Sequence, residues 1–149
     1  MPQLSATTHV DATPERVFAH VDDPDAAPGL VEGLTRWAPL GEQQHGVGAA
    51  FAAALKVGPR TVDGELRTIE SVPGRRLAWA ASDGFPLRIA WDLAPAAGGT
   101  DVTFTVEVTP PGGLAGRLLA KTVEPAIRSS VDRTVATLKR QVEAQTAAG

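Results

Sequence analysis

The chain has 149 residues, 14 basic against 17 acidic side chains for a net charge of −3, a 43% hydrophobic and 21% charged composition, and no cysteine. Such a chain forms one core that buries close to ~70% of the surface exposed on unfolding, and the missing cysteine excludes disulfides, thiolate metal sites and a cysteine nucleophile. The balanced charge without a dense Lys/Arg run argues against a nucleic-acid partner; the longest apolar run, 47–55, is too short to span a bilayer, and residues 1–10 lack the pattern of a signal peptide, so one cytoplasmic domain over 1–149 is expected.

Residues 4–10 alternate Leu4, Ala6, Thr8 and Val10 with Ser5, Thr7 and His9, the period of a half-buried strand. Thr13-Pro14-Glu15 then supplies an N-cap, a proline for the first helical position and an acidic first turn. This helix should run to about Val21, where Asp22-Asp23-Pro24-Asp25 stops it and caps a second short helix reaching Val31 or Leu34. Extended segments follow at 35–40, 48–57, 61–71, 75–82, 85–94 and 100–109, separated by turn formers that include Gly58-Pro59, Pro73-Gly74, Asp83-Gly84 and Gly98-Gly99. Strands joined so tightly are antiparallel neighbours. In the last of them Val102, Phe104, Val106 and Val108 share one face and Thr103, Thr105, Glu107 and Thr109 the other, so one face is buried and one wet.

Beyond Pro110-Pro111-Gly112-Gly113 the period changes to near 3.6. Leu114, Leu118, Leu119, Val123, Ile127, Val131, Val135, Leu138 and Val142 mark one amphipathic helix of about thirty residues, with a kink expected at Pro125. Two short helices cannot cover six or seven twisted strands, so the long helix should lie across the concave face of the sheet and leave space at one end.

Three passages carry a resemblance: Val10-Asp11-Ala12-Thr13-Pro14-Glu15-Arg16-Val17-Phe18 with Val21-Asp22-Asp23-Pro24, then Glu70-Ser71-Val72-Pro73-Gly74-Arg75-Arg76-Leu77-Ala78-Trp79, then Gly98-Gly99-Thr100-Asp101-Val102-Thr103-Phe104 ahead of the final helix. In this order and spacing the chain resembles the helix-grip (START-like, SRPBCC) superfamily, and within it the polyketide cyclase/dehydrase and lipid-transport group. The resemblance implies an α+β helix-grip fold: a curved antiparallel sheet of six to seven strands around the C-terminal helix, with two short helices after strand 1. A tryptophan usual in that family after the Asp-Pro turn is replaced here by Gly29-Leu30, and Trp37 is the candidate to fill its space. The chain has no tyrosine, so family chemistry that needs a phenol is absent.

The resemblance further implies an internal cavity for a hydrophobic small molecule, lipid-, polyketide- or aromatic-like. Its expected lining is Phe18 from the first helix, Leu34, Trp37, Phe51, Leu55 and Trp79 from the first strands, Phe85, Ile89, Trp91 and Phe104 from the later ones, and Leu119, Val123 and Ile127 from the long helix. The run Ala49 to Ala54, with its small side chains, leaves volume on a curved sheet. Catalytic candidates are Glu65 and Arg67, whose strand face is open between inward and outward, and His20, the first as a pair able to orient a polar group or move a proton and the second as an acid or base near the entrance. Arg88 and Asp92 belong to a solvent face, opposite Leu87, Ile89, Trp91 and Leu93. His9, His20 and His45 are too scattered for a metal triad, and no phosphate loop or nucleophile elbow is present, so no metal and no cofactor are expected. Three functions stand open: a carrier or sensor of a hydrophobic guest, a cyclase, aromatase or dehydratase using the same cavity, and a regulatory interaction module. The expected state is monomer or homodimer, with no nucleic-acid partner.

Overall fold

A computed structural model describes residues 3–57, 59–81, 87–108 and 113–148. Strand β1 (Gln3–Val10) leads into helix α1 (Pro14–Val21), where the Thr13 hydroxyl accepts the Arg16 N–H at 3.3 Å and Pro14 occupies the first turn. Capping of this kind satisfies backbone donors that a helix start otherwise leaves orphaned. Helix α2 (Ala27–Leu30) is a single turn, shorter than the segment to Val31 or Leu34 expected from the sequence. It ends where Val31 takes extended backbone at φ −87° and ψ 116°, and Gly33, at φ 90°, then turns the chain into β2 (Leu34–Pro39). Only glycine suits this place, because a Cβ at Gly33 would lie 2.9 Å from the Lys56 carbonyl oxygen while the Lys56 N–H donates to Gly33 O at 2.7 Å.

The chain then forms β3 (Ala50–Val57), β4 (Arg60–Val72), β5 (Arg76–Ala81), β6 (Leu87–Ala96) and β7 (Gly99–Val108), and ends in α3 (Gly113–Ala148). All seven strands make one antiparallel sheet in the order β1-β7-β6-β5-β4-β3-β2. The two short helices thus carry the chain from one edge of the sheet to the other, and the six-strand meander brings it back to β1. Register shifts at Leu34/Arg36 and at Thr68/Glu70 mark the bulges that let a sheet bend. This is the helix-grip architecture.

Helix α3 extends over 36 residues and continues through Pro125. Its second half packs on β1 with Val131, Thr134, Val135, Leu138 and Val142 buried at helical spacing. Beneath it, Trp91 and Phe104 face each other across β6 and β7 with ring centroids 4.3 Å apart, among Leu77, Val102, Val10 and Val17. A clasp fixes the helix to the end of β1: Lys139 donates to His9 O and to the Glu143 carboxylate, each at 2.7 Å, and that carboxylate accepts the Asp11 N–H at 3.0 Å. Gly99 lets the β1–α1 corner close onto the start of β7, since a Cβ there would overlap the Val10 carbonyl oxygen.

Candidate functional site

The far half of the concave face is built differently from this packed core. Strand alternation sends Phe51, Ala53 and Leu55 inward from β3, opposite Leu66, Gly64 and Val62 of β4. At the centre of that row Ala53 and Gly64 are direct partners, so two adjacent strands contribute one methyl group between them. A Cβ placed on Gly64 would meet nothing within 4 Å. Ala81, paired with Leu66, keeps β5 low beside them. Over this floor lies a cavity of about 310 Å³, within the ~300–1,000 Å³ typical of small-molecule sites. Leu87, Ile89, Phe104, Val106 and Val108 form the opposite wall, Ala126 and Ile127 of α3 the roof, and Val31 and Leu34 the side.

The polar residues around this cavity occupy its rim. Lys56, Asp63 and Glu65 alternate with Leu55, Gly64 and Leu66, and all three are exposed. Glu32 and Ser130 close the side through a compact set of bonds. The Ser130 hydroxyl donates to Glu32 O at 2.6 Å, the Glu32 N–H donates to the Thr134 hydroxyl at 3.0 Å, and Arg133 meets the Glu32 carboxylate at 3.3 Å. The segment between α2 and β2 is thereby fastened to the long helix as a wall. Among the described residues no buried side-chain nitrogen or oxygen lacks a partner, and no cluster of histidines and carboxylates could hold a metal ion.

Of the cavity residues expected from the sequence, Leu34, Leu55, Ile89, Phe104 and Ile127 line this space. Phe18, Trp37, Phe51, Trp79 and Trp91 do not. The physical reason is aromatic packing: Trp37 stacks on Phe51 at 4.6 Å and meets Trp79 edge-on at 5.4 Å, while Trp91 is committed to Phe104. Phe18 is buried on α1. Phe85 and the side chains of Leu119 and Val123 lie outside the described residues. The alanine run contributes through Ala53.

Glu65 and Arg67 face outward, because Leu66 and Thr68 take the buried positions between and beyond them. Glu65 reaches the rim, whereas Arg67 points along β3 toward the Gly48 carbonyl at 3.5 Å. His20 is away from the cavity and bridges helices: Nε2 lies 2.8 Å from Gln141 Oε1 and Nδ1 lies 3.1 Å from Gln145 Nε2, while Gln141 Nε2 donates to Gly29 O at 3.1 Å. Arg88 is exposed, and Asp92 accepts from Arg76 with both carboxylate oxygens at 2.7 Å, on the outer face assigned to them by alternation. Sequence reasoning did not single out Gly64, Val31, Glu32, Val106 or Ser130. The signal to follow was Gly64, since an interior strand glycine marks a place where a side chain is withheld.

A family model described as polyketide cyclase / dehydrase and lipid transport matches residues 1–143. The chain belongs to this family. No curated protein matches it. Solved structures with the same fold include TTHA0849 of Thermus thermophilus, at 20% identity and TM-score 0.81 over 97% of this chain and 99% of that one. The KanY protein aligns over 95% of this chain and 97% of its own at 21% identity and TM-score 0.78. The di-domain ARO/CYC StfQ from the steffimycin biosynthetic pathway is similar over 97% of this chain and 51% of its own, at 11% identity and TM-score 0.74. At such identities the likeness is one of fold, and what this member of the polyketide cyclase/dehydrase and lipid-transport family binds must be argued from its own cavity. No helix among its described residues is long and apolar enough to cross a membrane.

Proposed function

We propose that this chain binds a hydrophobic small molecule in the cavity between its sheet and α3, as a carrier or sensor. The observation that carries the reading is the void above Gly64 and Ala53, where the fold withholds side chains from an otherwise apolar inner face. Surface left unpacked forfeits dispersion contacts that a guest of matching shape restores. Each ~100 Å² of apolar guest surface removed from water contributes about 2.5 kcal/mol, so a compact ring system or a short chain gains enough for measurable binding.

A second reading, a cyclase, aromatase or dehydratase, is favoured by the family description and by the fold shared with the ARO/CYC protein. Such chemistry needs a proton-moving group at the reacting carbon, and Glu65 at the rim is the carboxylate to test. The binding reading is tested by native mass spectrometry of the purified chain and by titration with N-phenyl-1-naphthylamine, whose fluorescence rises in apolar surroundings. A co-purifying hydrophobic compound or saturable one-to-one uptake of the dye supports it. A clean apo mass with no dye uptake overturns it.

A further inference from the structure

The described cavity wall is more selective than the word hydrophobic conveys. Every described inward side chain on its sheet side is hydrocarbon: Leu55, Val62, Leu66, Ile89, Phe104 and Val106 surround the Ala53–Gly64 floor. Between β3 and β4 and between β6 and β7 the backbone N–H and C=O groups that face each other are engaged in antiparallel ladders. The hydroxyl nearest the interior, that of Ser130, already donates to Glu32 O at 2.6 Å. Among the described residues, charge is found at exposed positions of the lining, on Lys56, Asp63, Glu65 and Glu32, the last paired with Arg133 at 3.3 Å.

Building on the binding reading proposed above, we infer that the guest has a plain hydrocarbon body and carries any polar group at one end only, which stays at the rim. A hydroxyl or carbonyl carried into the floor would lose its water without gaining a partner there. This penalty falls on molecules oxygenated around their whole perimeter, as aromatic polyketides are, and spares single-headed amphiphiles and simple hydrocarbons. The site therefore selects for the lipid-like class of guest over the polyketide-like class.

Two isomers separate this inference from the binding reading itself. In 2,3-dihydroxynaphthalene both hydroxyls sit at one end of the ring system, whereas in 2,6-dihydroxynaphthalene they lie at opposite ends, so one must be buried. Isothermal titration calorimetry on the intact chain should show the 2,3 isomer binding about tenfold or more tightly than the 2,6 isomer, the ratio expected for one buried hydroxyl without a partner. Equal affinities, or tighter binding of the 2,6 isomer, overturn the inference while leaving the cavity occupied. Absence of binding by either isomer and by N-phenyl-1-naphthylamine overturns both readings. The variant Gly64→Leu, which fills the floor, is expected to abolish the heat from the 2,3 isomer; unchanged heat would place binding elsewhere and overturn the inference.

Discussion

Replacing Gly64 by valine should move stability and binding in opposite directions. Gly64 is not among the glycines at positive φ, so its backbone accepts an L side chain, and a Cβ there meets nothing within 4 Å. Removing glycine's extra freedom from a strand interior stabilises by roughly 0.5–1 kcal/mol. The branched side chain also suits a pleated surface. Burial of its methyl groups in a cavity open on one side adds about 1 kcal/mol, roughly half of what full burial of valine gives. The sum, about 1.5–2 kcal/mol, corresponds to a Tm increase of roughly 3–8 °C for a domain of this size. The same methyl groups occupy part of the 310 Å³ open to a guest. Urea unfolding followed by fluorescence of Trp37, Trp79 and Trp91 measures the first effect, and N-phenyl-1-naphthylamine titration the second. The expected result is a higher midpoint with dye affinity reduced at least about tenfold, a loss of stabilisation of about 1.4 kcal/mol. Destabilisation by about 1 kcal/mol or more, of the order a packing clash costs, would refute the void above Gly64. Unaltered dye binding would refute its use.

Gly99→Ala should destabilise by more than about 2 kcal/mol, because the new methyl group collides with backbone at Val10 and cannot be relieved by a rotamer change; thermal unfolding checks this. Glu143 is held below the ordinary carboxylate value of 4.5, first by its bond from Lys139 and then by the Asp11 N–H. A folded value lowered in this way gives stability that is complete above about pH 4.5 and disappears as pH falls through the folded value. Because solvent screens this partly exposed pair, Glu143→Gln should cost only about 0.5–1 kcal/mol at neutral pH, and the gap from the parent should close in acid, as read from urea midpoints across a pH series. Glu65→Ala and Arg67→Ala, on the outer face of β4, should leave N-phenyl-1-naphthylamine affinity within about threefold of the parent, a difference below ~1 kcal/mol. A larger loss would place one of these side chains against the guest.

The architecture was legible because its signals are local. Period-two alternation from Val102 to Val108, the Pro73-Gly74 and Gly98-Gly99 turns, and the 3.6 spacing from Val131 to Val142 each depend on near neighbours in sequence. The cavity depends on register, which no local pattern reveals. Whether Trp37, Phe51 and Trp79 line a space or fill it is decided by their meeting across β2, β3, β4 and β5. The outward face of Glu65 and Arg67 was obscured because the apolar Ile69 shares their register while Leu66 has the opposite one; Ile69 is exposed and sits at the register shift between Thr68 and Glu70. The short α2 ends where Val31 turns extended, and the glycine that follows at position 33 is needed because a Cβ there would crowd the Lys56 carbonyl, more than twenty positions away in the chain.

The central claim, that a hydrophobic guest occupies the space over Ala53 and Gly64, is tested most directly by ¹³C-methyl NMR during titration with N-phenyl-1-naphthylamine. Methyl resonances of Leu34, Leu55, Ile89, Val106 and Ile127 should shift together with one saturation curve, while those of Val10, Val17 and Val142 in the packed core stay in place. Shifts confined to the exposed Ile69 and Val72, or to the packed core, would contradict the account.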